Sequence, residues 1–282
     1  MRARLLAILS AYTVSGSLGY FFAKYALEYS SPIFLIVLRY AIAGGILAAL
    51  GGRIILQRDV AVLAALTASS SALWALGLEY VSPASSSVLS YTMPFFSVPL
   101  AYLILGERST RWEILGMALG FLGVSIYSVP LMHGLRLLGA LLTIGNAFFW
   151  ASYTVYYRKL RSMNALSVNT TQLLLGSLML LPLSWAGFHL EPTTDFLLYL
   201  LGLAIPSGAF TFFLWNLVLK EESVGRASAL AFSVPIFSVA LQSAMEMSAP
   251  PALELVGMAV MLTGIAISRR GLRDDGALDS RR

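Results

Sequence analysis

Residues 74–128 of this chain are echoed by residues 215–269 at a constant offset of 141, and the echo runs through almost uninterrupted apolar sequence. Trp74 matches Trp215, Pro94 matches Pro235, and Phe96-Ser97-Val98 matches Phe237-Ser238-Val239. Further along the same register, Glu113 answers Glu254, Gly116-Met117-Ala118 answers Gly257-Met258-Ala259, and Gly123 answers Gly264. Self-similarity on this scale means two copies of one folding unit. An odd number of membrane crossings in each copy turns the second copy over relative to the first, which is the inverted repeat of many secondary transporters.

Composition makes the bilayer the expected solvent and lipid the expected partner. Of 282 residues, 58% are hydrophobic and only 12% charged, with a mean hydropathy of +0.78. A water-soluble domain needs a more polar exterior than this. The chain has no cysteine, so it has neither disulfides nor thiolate metal sites. The formal charge of +5 is spread over short loops rather than gathered on one face, so a nucleic-acid partner is not expected. Nothing in the pattern fixes an oligomeric state.

Apolar windows of bilayer length, about 20 residues, fall near 5–23, 33–50, 60–78, 84–105, 112–130, 135–157, 166–187, 196–219, 227–245 and 252–268. The expected fold is therefore all-α, with ten transmembrane spans as two inverted five-helix repeats. The units are residues 1–130, residues 131–270, and a charged tail at 271–282 too poor in apolar residues to pack. The first window is retained as span 1 rather than a signal peptide, because Lys24 and not a small-residue cleavage site follows it.

Loop charge sets the orientation. With the N-terminus inside, the cytoplasmic segments collect 16 of the 19 Lys and Arg residues, from Arg2 and Arg4 through Arg158, Lys159 and Arg161 to Arg281 and Arg282. Only Lys24 and Arg136 fall outside, and Arg39 lies within span 2. A multi-pass plasma-membrane protein with both termini cytoplasmic follows from the bias of Lys and Arg toward inner loops. Glu113 then begins span 5 on the inside and Glu254 begins span 10 on the outside.

Polar groups inside the spans are the candidate site residues. Span 1 carries Ser10, Thr13, Ser17, Tyr20 and Lys24 on one helical face, and span 6 carries Asn146, Trp150, Tyr153 and Tyr157 at matching spacings. Hydroxyl stripes serve either as glue between membrane helices or as a cavity lining; amide, indole and phenol groups point to the lining. Thr13, Ser17, Tyr20, Tyr91, Asn146, Trp150 and Tyr153 are taken as candidate cavity residues, together with Trp74 and Trp215. Arg39 stands in hydrocarbon, where a charge costs about 3 kcal/mol or more. It must snorkel, pair with a carboxylate such as Glu79 or Glu28, or meet substrate. Lys24 lies at the outer end of span 1, where it can snorkel. Gln172 occupies the place of Arg39 in the second repeat. Pro94 and Pro235 lie mid-span and are expected to bend spans 4 and 9. Gly116, Gly120 and Gly123 form a close-packing seam in span 5.

The absences narrow the function. His133 and His189 fall in different outer loops, and no carboxylate pair or Ser-His-Asp set shares one depth, so no catalytic constellation, metal site or cofactor is expected. No acidic residue occupies the middle of any span, which disfavours a cation exporter working through a central carboxylate. No ATP-binding signature is present.

The pattern resembles the drug/metabolite transporter superfamily, and within it the ten-helix EamA-type members, over essentially the whole chain. The resemblance rests on Pro32 to Arg39 ending in Leu38-Arg39, on Leu76 to Glu107 with Tyr80, Ser82, Pro94 and the Gly106-Glu107 pair, and on Trp150-Ala151 with Tyr153 and Arg158. Two departures are visible: the Trp usual in span 1 is replaced around Gly16, and the second half lacks the Gly-Glu pair. The resemblance implies a central cavity enclosed by spans 1, 3, 4, 6, 8 and 9, with spans 5 and 10 supporting. It also implies secondary export of a small metabolite such as an amino acid by alternating access. The aromatic, hydroxyl-rich and weakly basic lining suits a small zwitterionic or anionic solute. The alternative is a membrane scaffold or lipid-handling protein of the same fold, which has no need of paired polar stripes on spans 1 and 6.

Overall fold

In hydrocarbon a backbone must satisfy its own hydrogen bonds, and a helix does so within one segment. The computed structural model describes residues 3–131 and 137–268 and is built almost wholly of helices. Arg2, His133, Arg136, the inter-repeat stretch at 132–136 and the basic tail from Arg269 lie outside the described residues. The first repeat comprises α1 (Ala3–Ala26), α2 (Pro32–Ala49), α3 (Arg58–Leu78), α4 (Pro83–Ser90), α5 (Met93–Leu105) and α6 (Arg111–Leu131). The second comprises α7 (Leu137–Lys159), α8 (Ala165–Leu180), α9 (Thr194–Ala204), α10 (Thr211–Glu221), α11 (Val224–Ala231), α12 (Ser233–Met245) and α13 (Ala252–Ser268). A 3₁₀ turn at Leu181–Trp185 extends α8, and a π-helical turn at Ile205–Phe210 joins α9 to α10.

Taking α4 with α5 and α11 with α12, eight described segments are long and apolar enough to cross a bilayer, and α13 is a shorter apolar helix. The 21 residues of α6 reach about 31 Å at 1.5 Å per residue, and α6 packs along α13.

That pair proves the inversion. A Cβ added at Gly116 would meet the Gly264 carbonyl at 2.6 Å, and one at Gly123 would meet the Gly257 carbonyl at 2.6 Å. The numbering rises on one helix as it falls on the other, so equivalent helices of the two repeats run antiparallel. The contact also maps onto itself, since Gly116 is the counterpart of Gly257 and Gly123 of Gly264. The other neighbours obey the same exchange: α3 packs on α7 as α1 packs on the α9–α10 span, and α2 packs on α8.

Spans 4 and 9 correct the expectation of a simple bend. Each is two helices, interrupted at Tyr91-Thr92 and at Phe232. Pro94 and Pro235 sit in the first turns of α5 and α12, where a backbone N–H has no intrahelical acceptor and its loss costs little. Each span opens with a serine cap. Ser82 Oγ accepts from the Ser85 N–H at 3.2 Å, and Ser223 Oγ accepts from the Arg226 N–H at 3.2 Å.

Candidate transport cavity

Between the two repeats lies a cavity of about 80 Å³, well above the roughly 10–15 Å³ that one water requires. Its wall is assembled from spans 1, 2, 3, 4, 6 and 8. Tyr12, Gly16, Gly19 and Tyr20 come from α1, Arg39 from α2, and Ser70, Ser71 and Trp74 from α3. Ser90 and Tyr91 come from the end of α4, Asn146 and Trp150 from α7, Ser207 from the π-helical turn, and Thr211 and Phe212 from α10. Span 2 thus contributes, and span 9, expected in the wall, does not. Gly16 supplies space where the resemblance leads one to expect an indole.

Six of the ten predicted lining residues are in the wall: Tyr20, Arg39, Trp74, Tyr91, Asn146 and Trp150. Trp74 meets Tyr20 edge-on at 5.4 Å. Tyr91 and Tyr12 share a hydroxyl contact of 3.2 Å. Asn146 is held from two sides, its Oδ1 accepting from Ser70 Oγ at 2.8 Å and its Nδ2 donating to Ser90 Oγ at 2.9 Å.

The other four stand behind the wall, each for a definite reason. Thr13 donates to the Leu9 carbonyl at 2.8 Å and contacts Ser233 Oγ at 2.6 Å. Ser17 donates to the Val234 carbonyl at 3.0 Å. Both hydroxyls therefore tie span 1 to span 9. Tyr153 stacks under Trp150 with ring centres 4.9 Å apart and donates to Asn216 Oδ1 at 2.6 Å. Trp215 stacks under Tyr12 at 5.0 Å and donates to Thr154 Oγ1 at 3.2 Å. They form the floor.

Arg39 neither snorkels nor forms an ion pair. Its residue is 6% exposed, and no ion pair among the described residues includes it. One Nη donates to the Ser207 carbonyl at 2.5 Å, an acceptor on the π-helical turn that Pro206 helps to set up. The guanidinium lies between two rings, 5.1 Å from the centre of Trp74 and 5.7 Å from that of Phe212. A cation–π contact contributes about 2 kcal/mol when desolvated, and a charged hydrogen bond about 1.5–3 kcal/mol. Those contacts hold the charge in place but do not neutralise it. Its Nε is buried without a partner.

Lys24 does not snorkel either. Its Nζ donates to the carbonyls of Leu78, Glu79 and Val81 at 2.7, 3.3 and 3.2 Å, fastening the end of α3. Arg158 does the same at the other face, its Nη1 donating to the carbonyls of Leu219 and Lys220 at 2.6 and 3.5 Å. Leu78 and Glu79 correspond to Leu219 and Lys220 in the repeat register, so two cations from non-equivalent positions hold equivalent carbonyls. Burial raises the Glu79 carboxyl above its ordinary range, and Lys24 offsets part of that rise.

Below the floor lie two further polar layers. Gln172, the counterpart of Arg39, donates to Asn169 Oδ1 at 2.8 Å and reaches Tyr153 Oη at 3.4 Å. Beyond it, Arg158 lies 3.6 Å from Glu107, and Arg226 lies 3.5 Å from Glu113 and 2.9 Å from Glu222. The Val224 N–H donates to Glu107 Oε1 at 2.8 Å. This network bridges the repeats at the face opposite Lys24.

Sequence reasoning missed Tyr12, Gly16, Gly19, Ser70, Ser71, Ser90, Ser207, Thr211 and Phe212. The run Ser69-Ser70-Ser71 and the sequence Pro206-Ser207-Gly208 were the available signals, since consecutive hydroxyls and a Pro-Ser-Gly break are unusual within an apolar span.

Comparison with known proteins agrees with this architecture. The model of the EamA-like transporter family matches residues 1–129 and again 137–270. The "Uncharacterized transporter in sor 3'region" of Acidianus ambivalens is 44% identical over 84% of this chain and 93% of its own length. A protein of Streptantibioticus cattleyicolor named "Probable terminal-alkyne amino-acid exporter" is 30% identical over 73% of this chain and 71% of its own. A solved crystal structure superposes with a TM-score of 0.80 at 20% identity, covering 95% of this chain and 98% of that one, a likeness that bears on the fold alone. With the family model matched in both halves and the repeats inverted about a common cavity, the chain belongs to the EamA-like transporter family, and it is an integral multi-pass membrane protein.

Proposed function

We propose that this protein is a secondary active exporter of a small zwitterionic or anionic metabolite, such as an amino acid, working by alternating access in the plasma membrane with both termini in the cytoplasm. In this reading Tyr20, Arg39, Trp74, Tyr91, Asn146 and Trp150 meet the substrate, while Thr13, Ser17, Tyr153 and Trp215 hold the wall. The observation that carries it is Arg39, a buried guanidinium without a carboxylate partner in a cavity between two inverted repeats. A scaffold has no use for such a group, because an apolar residue there would be stable at lower cost. The amino-acid class is supported by the name of the Streptantibioticus relative.

The ion network of Glu107, Glu113, Arg158, Glu222 and Arg226 closes the inner face in this reading, and its opening exposes the same cavity to the cytoplasm. Uptake by purified protein in proteoliposomes, over a panel of amino acids and sugars with and without a pH gradient, tests the proposal. Absence of saturable uptake of every solute would overturn it.

A further inference from the structure

The inference concerns the charge of the cargo and rests on the reading of this cavity as the transport site. Arg39 is the one formally charged residue among the described lining residues. Three lining residues carry a buried polar side-chain atom without a partner: Arg39 Nε, Trp74 Nε1 and Ser207 Oγ. The first two are donors only, and the third donates as readily as it accepts. Two of the strongest acceptors are already engaged: Asn146 Oδ1 accepts from Ser70, and the Ser207 carbonyl accepts from Arg39.

A carboxylate, which only accepts, matches these donors once the side chains turn toward it, and it balances the guanidinium charge that no carboxylate among the described lining residues offsets. An ammonium group does not: it brings a second cation beside the guanidinium and finds no free carboxylate, an arrangement penalised by desolvation and like-charge repulsion.

We propose that the preferred substrate is a small monocarboxylate without an ammonium group, of the 2-oxo or 2-hydroxy acid type, with its carboxylate on Arg39, Trp74 and Ser207. Charge conservation then fixes the energetics. The empty cavity carries one positive charge and the loaded cavity none. The loaded step is therefore electroneutral and the empty carrier returns its positive charge inward, so each cycle exports one net negative charge. A membrane potential negative inside favours that return, so no coupling cation is needed to drive export.

The test uses the full chain in proteoliposomes with three solutes that share one side chain: valine, 2-oxoisovalerate and 2-hydroxyisovalerate. Valinomycin with a potassium gradient sets the potential. The two acids should enter about tenfold faster than valine, a difference of 1.4 kcal/mol in recognition, and their uptake should rise when the vesicle interior is made positive. Arg39→Lys should retain uptake of the acids with a raised KM, and Arg39→Gln should lose it. Valine carried as well as the acids, or acid uptake indifferent to potential, would overturn this inference while leaving the transporter reading in place. Failure to carry any of the three, or any solute of the broader panel, by protein that still melts cooperatively would overturn both. Undiminished acid uptake by Arg39→Gln would remove Arg39 from the assignment.

Discussion

Met247 occupies in the second repeat the position that Gly106 holds in the first, and both carry left-handed backbone, with φ of 47° and 66°. Each follows the second helix of a broken span, α12 or α5. Glycine adopts that geometry freely, whereas a side chain pays about 1–2 kcal/mol for it. Met247 is 94% exposed and makes little packing that a substitution would lose. Met247→Gly should therefore stabilise the protein by about 1 kcal/mol, read as a rise in melting temperature in detergent. An unchanged or lowered melting temperature would show that the strain is relieved elsewhere.

The ion network at the opposite face makes a prediction of reversed sign. Glu113 is 2% exposed and is held by Arg226 and by Ser223 Oγ at 2.8 Å. Arg226→Gln leaves that carboxylate uncompensated, a loss of roughly 3–5 kcal/mol. Adding Glu113→Gln to the same chain should restore part of it. Melting temperatures of the two single variants and the double variant give the coupling, and additivity would mean that the pair is not coupled.

Four serines distinguish the cavity wall from the structure behind it. Ser71 and Ser90 line the cavity, whereas Ser17 and Ser238 are buried away from it. In this naturally cysteine-free chain, Ser71→Cys and Ser90→Cys should react with small polar thiol reagents, and Ser17→Cys and Ser238→Cys should stay inert. Equal labelling of all four would dissolve the distinction.

Orientation can be read with reporter fusions. Fusions after Arg53, Arg108, Arg161, Lys220 and the C-terminus should all report the cytoplasm, as the bias of Lys and Arg requires. An external signal at the C-terminus would mean an odd number of spans.

Much of the architecture was legible in the sequence because lipid leaves a backbone few options. Apolar length marked the spans, and the 141-residue register marked the duplication. The interruptions were only half legible. Pro94 and Pro235 announced a disturbance, but whether proline bends a helix or starts a new one depends on Tyr91-Thr92 and Phe232 leaving the helix just before it.

Within the site, chemistry misled where geometry decided. Thr13 and Ser17 belong to the polar stripe of span 1, yet they stand behind the wall while their immediate neighbours Tyr12 and Gly16 face the cavity. A step of about 100° per residue turns a hydroxyl from the wall toward span 9. Gly16 and Gly19 were invisible as site residues because they contribute room rather than a functional group. Arg39 was legible as an anomaly, but its freedom from Glu79 and Glu28 needed three-dimensional placement.

The seam between α6 and α13 has a consequence for how the chain is made. A single polypeptide could join its halves through any two surfaces that fit, yet this contact is self-complementary, with Gly116 against Gly264 and Gly123 against Gly257. That is the surface by which two separate five-helix chains, inserted in opposite senses, would recognise one another. It also gives the second half a check on its own insertion. A half threaded the wrong way could not lay its glycines antiparallel against those of its partner, and the nascent protein would lack this seam.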